Sequence, residues 1–158
     1  MTRISTRVLW SILETYYEWR SDPPTTSILS RFNAGGPDSV VGGINNQMAF
    51  ICDVGTVLSR LEAPELEAVE LYYHTHRAWE DAEASRRNAD IYARRRGEVS
   101  DVKAIPRKAK EWRQIADHQQ KELNRIRQRK AYGTAVDKLT VEVARMLIDG
   151  QWREVSDD

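Results

Sequence analysis

A single cysteine, Cys52, stands in 158 residues, which excludes an intrachain disulfide and a cysteine-built zinc site. No apolar run approaches the roughly 20 residues that cross a bilayer, and the opening MTRISTRVLW lacks the apolar stretch of a secretion signal. The expectation is a cytoplasmic protein with no membrane contact. Glycine and proline are few, 8 and 5, and they concentrate in Asp22 to Gly43, where Pro23, Pro24, Pro37, Gly35-Gly36 and Gly42-Gly43 predict a loop holding one short helix at Thr25 to Phe32. No segment alternates apolar and polar residues as a half-buried strand does. Net charge is also lacking, because 24 Lys and Arg balance 24 Asp and Glu. Hydrophobic residues make up 41% and include five Trp, which argues against disorder and suits one domain with a modest core.

The balance of charge hides a strong segregation. Arg86 to Lys130 holds 15 bases and 6 acids, residues 1–85 hold 6 bases and 12 acids, and residues 131–158 hold 3 and 6. Each Lys or Arg set against a phosphate releases a condensed counterion, so a basic block of this density points to a polyanion, with solvated helix faces as the bland alternative.

Apolar spacing predicts an all-α fold. TRVLWSILETYYEWR (6–20) sets Val8, Ile12, Tyr16 and Trp19 beside Leu9, Leu13 and Tyr17, and SDPP ends that helix. Trp10 and Trp19 read as core. INNQMAFICDVGTVLSRL (44–61) places Met48, Ile51, Val54, Leu58 and Leu61 on one stripe. Pro64 opens a third helix with Glu65 and Glu67 in its first turn and Leu66, Val69, Leu71, Tyr72 and Tyr73 as its apolar face. Beyond Trp79 only Ile91 and Tyr92 are large and apolar. A helix reaching Arg96 would be roughly 48 Å long, so its distal half leaves the core. Gly97 to Pro106 breaks the chain, and Arg107 to Tyr132 is a second polar helical stretch bearing Trp112, Ile115, Ala116, Leu123 and Ile126. Gly133 predicts a stop or kink. Ala135, Leu139, Val143, Met146 and Leu147 form a last helix closed by Gly150. The expected division is a helical core over 1–81, a basic arm and reader over 82–132, and a C-terminal helix over 133–158 that packs on the core.

Two segments carry a resemblance. LSRLEAPELEAVELYY (58–73) and WRQIADHQQKELNRIRQRKAYGTAVDKL (112–139) resemble the helix-turn-helix of sigma-factor region 4, with Ile115-Ala116 as the packed pair of the positioning helix and Ile126 as the anchor of the recognition helix. With the aromatic first helix, the order of elements is similar to the phage antitermination protein Q family. That resemblance implies a regulator in the bacterial host cytoplasm that binds double-stranded DNA beside a promoter and contacts RNA polymerase. The pattern departs at the turn, where Gln119, Gln120 and Lys121 replace an apolar residue, a glycine and an apolar residue. One continuous helix over 107–132, forming an antiparallel hairpin with the third helix, is therefore the competing geometry.

In either geometry the DNA-contacting set is Arg86, Arg87, Arg94, Arg95, Arg96, Lys108, Lys110, Arg113, Lys121, Asn124, Arg125, Gln128, Arg129 and Lys130, with Arg suited to guanine and Asn or Gln to adenine. No cofactor, metal or catalytic role is expected. His74 and His76 point about 200° apart on a helix, and Glu70 with His74 lacks a third ligand. Gly35-Gly36-Pro37 lacks the strand and the Lys-Ser/Thr of a phosphate loop. The alternative class is an assembly protein, an oligomerising helical hairpin such as a phage small terminase subunit.

Overall fold

The computed structural model describes residues 2–21 and 38–150, with side chains from Gln47 onward in the second stretch. Among the described residues there are five α-helices and no strand: α1 (Thr6–Ser21), α2 (Asp38–Ser59), α3 (Ala63–Arg95), α4 (Arg107–Arg127) and α5 (Lys130–Asp149). The fold is all-α. The short helix expected at Thr25 to Phe32 lies outside the described residues. Helix α2 starts at Asp38, within the expected loop, and runs through Gly42-Gly43. Each glycine costs about 1 kcal/mol of helix propensity, a small penalty beside the burial of Phe50, Ile51, Val54, Val57 and Leu58 further along.

Two compact units form, residues 1–66 with 134–158, and residues 67–133. The boundary on α3 falls at Leu66 rather than Asp81, because Tyr72 already engages Arg127 of α4.

In the first unit α1 buries Leu9, Ile12, Leu13 and Tyr17, and α5 buries Ala135, Leu139, Thr140, Val143 and Ala144. Ser5 caps α1 by accepting a hydrogen bond at Oγ from the Val8 amide (3.2 Å). The Ile4 amide donates to the Thr140 carbonyl at 3.1 Å, tying the chain start to α5. The Tyr16 ring lies against α2 at Gly55, where a Cβ would stand in ordinary contact 3.4 Å from Tyr16 Cε2. Met48 is half exposed, against expectation, because Phe50 and Val57 turn the buried stripe of α2 away from it.

The first unit also buries a charge. Glu65 is 4% exposed, and its Oε1 accepts a 2.5 Å hydrogen bond from Lys138 Nζ, 73 residues away in sequence. Glu65 Oε2 has no hydrogen-bond partner. The Lys138 head stays half exposed, so the pair leaves its ammonium in water while its carboxylate is buried. The hydrogen bond from Lys138 to Glu65 raises the lysine pKa above its ordinary 10.5, assisted by the charges of Glu65 and Glu62 and opposed by desolvation.

In the second unit α3 and α4 run antiparallel. Arg94 near the end of α3 reaches the carbonyls of Asp101, Val102 and Ala104, and Arg127 at the end of α4 donates to Tyr72 Oη at 2.7 Å. Between those ends the buried residues are small toward the loop, Ala82 and Ala93 on α3 with Ala109 and Ala116 on α4, and large toward the Arg127 end, where α4 buries Leu123 and Ile126. Helix α3 closes in a Schellman turn. Gly97 has φ 72°, its amide donates to the Arg94 carbonyl (3.2 Å), and the Glu98 amide donates to the Ala93 carbonyl (3.0 Å). Pro106 then starts α4 from extended backbone.

Helix α4 passes unbroken through Gln119, Gln120 and Lys121, so no turn forms there. Three straight-chain residues of good helix propensity give the backbone no reason to leave the helix. The break comes later, at Gln128 and Arg129, where the Gln128 amide lies 3.2 Å from both the Asn124 and Arg125 carbonyls and the Arg129 amide donates to Ile126. Gly133, expected as a stop or kink, lies inside α5 with open space where a Cβ would stand.

Gln120→Gly is expected to lower stability by about 1 kcal/mol relative to Gln120→Ala, shifting the melting midpoint by roughly 2–4 °C. Equal melting of the two variants would place a turn at Gln120. For Lys138, the folded state keeps a proton that the unfolded chain has begun to release, so its stabilisation is complete below pH 10.5 and is lost as pH rises through the higher folded pKa. Lys138→Gln is expected to lower stability at neutral pH and to flatten the decline above pH 10.5, read as denaturant midpoints against pH.

Candidate nucleic-acid interface

Helix α4 presents its cations in an ordered way because the alanine seam occupies one side of it. Lys110, Arg113, Asp117, Lys121, Asn124 and Gln128 recur at spacings of three and four, which puts them on one side of the helix over about 27 Å. All six are exposed. Asp117 interrupts the row. It stands four residues from Arg113 and four from Lys121, yet it forms no ion pair with either.

The expected contact residues fall into three groups. Arg87, Arg95, Lys108, Lys110, Arg113, Lys121, Arg129 and Lys130 form no ion pair among the described residues. Arg86 and Arg125 hold Glu83 and Glu122 three residues away, at 3.1 and 2.5 Å, and Arg96 covers the Tyr92 ring at 4.8 Å. Partly exposed pairs of this kind are worth about 0.3–0.5 kcal/mol, so a phosphate displaces the carboxylate at little cost.

Arg94 stands apart. It donates twice to Asp90 (3.1 and 3.2 Å) and to three loop carbonyls at 3.1–3.3 Å. Its fork of donors is spent on the connection between α3 and α4, and the assignment of Arg94 to DNA is corrected to a structural clamp. Nothing in the run Arg94-Arg95-Arg96 distinguishes the inward residue. The partners are backbone atoms of a loop whose path sequence does not show.

Two further expectations change. Ile115, assigned to a packed pair with Ala116, is 44% exposed while Ala116 is 1% exposed, because a continuous helix turns adjacent residues 100° apart. Asn124 accepts a hydrogen bond from Gln120 Nε2 at 3.3 Å, and Gln128 is the C-cap of α4. The side chains that sequence brought together for a bent reader thus lie along a straight rod.

Away from the basic helix, His76 pairs with Glu80 at 3.4 Å and stacks on Tyr72, and His74 stands edge-on to Tyr73. A cleft of about 630 Å³ in the first unit has Val57, Leu61 and Leu139 among its walls, with Arg60 and Arg145 both 3.4 Å from Glu142 at its rim. Those ion pairs use the polar groups that would orient a ligand. No helix among the described residues is long and apolar enough to cross a membrane. The chain matches no known protein family, no curated protein and no solved structure.

Arg94→Ala and Arg94→Lys are both expected to loosen the loop, speeding amide exchange at Lys103 and Ala104 by about tenfold or more. Unchanged exchange in both variants would show that the five hydrogen bonds are dispensable.

Proposed function

We propose that this chain is a duplex-DNA-binding regulator of transcription, an antitermination factor of the kind its sequence resembles, with the straight helix α4 as its DNA-facing element. The observation that carries the proposal is the row of Lys110, Arg113 and Lys121, exposed, on one side of a rigid helix and free of ion pairs among the described residues. A helix fits the major groove, where cations grip phosphates and Asn124 and Gln128 stand in line to meet base edges. Without a turn at Gln120, phosphate contact dominates over base readout. RNA polymerase is the proposed protein partner, met by the acidic and aromatic residues of the N-terminal helices.

One observation favours the second reading, an assembly protein built on an oligomerising hairpin. Ile91 and Ile115 are apolar and nearly half exposed. A ring or other discrete oligomer in sedimentation, with no DNA shift, would decide for it.

For the DNA proposal the measurement is duplex affinity against salt. The parent is expected to lose affinity steeply, and Lys110→Ala, Arg113→Ala and Lys121→Ala combined should reduce the log–log slope by about 3, one released counterion per lost phosphate contact. Asp117→Asn should tighten binding to every duplex tested, because it removes a like charge from the phosphate-facing row. A flat salt response, or an unchanged slope in the triple variant, overturns the assignment.

A further inference from the structure

The side of α4 away from the cation row has a different character. Lys108, Trp112 and Ile115 recur at spacings of four and three, with Trp112 37% and Ile115 44% exposed. The same stripe continues to Gln119, and the acids that border it are paired, Glu111 with Arg107 at 3.6 Å and Glu122 with Arg125. At the distal end of α3, beside the start of α4 in the antiparallel register, Tyr92 is 60% exposed and carries the Arg96 guanidinium 4.8 Å from its ring centroid. Two large aromatic rings are thus held open to solvent on rigid helices, each within one turn of a cation.

We infer that this flank binds single-stranded nucleic acid, with unpaired bases stacking on Trp112 and Tyr92 and phosphates meeting Lys108 and Arg96. A rigid ring that remains exposed in the folded protein gives a base a flat apolar face at little ordering cost, and a cation one turn away supplies the backbone contact. Bases inside a duplex already have both faces covered by their neighbours, so this flank selects strands that are open. Lys108 and Arg96 have no carboxylate partner among the described residues, whereas Glu111 and Glu122 are each held by an arginine, so the charge this flank offers is positive and suits a polyanion. The duplex row and the stacking flank occupy different sides of α4, so the inference stands whether or not the duplex proposal does.

The test compares the full chain and its Trp112→Ala, Trp112→Phe and Tyr92→Ala variants on an oligo-dT of about 16 nucleotides and on a duplex of the same length. Helicity is checked in each, and Tyr92 serves as the second probe should Trp112→Ala misfold. Trp112→Ala and Tyr92→Ala are each expected to weaken oligo-dT binding about tenfold and to leave duplex binding within about twofold, while Trp112→Phe keeps most of the affinity. Loss confined to oligo-dT supports the inference even if the parent fails to bind duplex. Undiminished oligo-dT binding in both alanine variants overturns it. So does a dimer in the parent that Trp112→Ala converts to monomer with oligo-dT affinity unchanged, which would make the flank a contact between copies of this chain.

Discussion

Two arginines at opposite ends of the α3–α4 pair set the register on which the second unit depends. Arg127 on Tyr72 fixes the proximal end, Arg94 on the loop carbonyls fixes the distal end, and between them α4 buries Leu123 and Ile126 on the proximal side and alanine methyls on the distal side. The alanine stretch of the seam, Ala82, Ala93, Ala109 and Ala116, contributes little apolar area per residue, about 0.8 kcal/mol per buried methyl-sized group, so beyond Leu123 and Ile126 side-chain shape does little to hold the register. The charged hydrogen bonds at the ends supply the specificity that a small-residue seam lacks. In return the narrow seam leaves most of each helix surface to other side chains, which is how one hairpin displays a polar row and an aromatic flank at once.

Much of this fold was legible in the sequence because its signals are local. Pro64, Gly97 and Pro106 mark where helices begin or end for reasons of φ and missing donors, and the chain obeys all three. Leu9, Leu13, Val54, Leu58, Leu139 and Val143 follow the 3.6-residue period into the core. What sequence did not reveal depends on partners distant along the chain or on competition between weak preferences. Glu65 looked like an N-terminal acid favoured by the helix dipole, and its pairing with Lys138 required the fold. Gly133 looked like a terminus, and a glycine penalty of about 1 kcal/mol proved too small to stop α5.

The candidate interface was legible as a charge density and illegible as an arrangement. Counting bases over Arg86 to Lys130 treats Arg94 and Arg95 alike, whereas one is consumed by five hydrogen bonds and the other forms no ion pair among the described residues. Ile115 reads as the packed partner of Ala116, yet Ala109, Ala116, Leu123 and Ile126 make the buried side of α4, and Ile115 is left at the surface.

The first turn of α4 is built against its own dipole. It contains Arg107, Lys108 and Lys110, it has no acid, and Pro106 offers no side-chain cap; Glu111, 3.6 Å from Arg107, is the compensation nearby. Positive side chains thus crowd the positive pole of the helix, and the folded state bears a standing electrostatic cost there. Any polyanion that settles near that pole relieves the cost as it binds. A polyanion bound there would thus add to the stability of the folded hairpin by mass action.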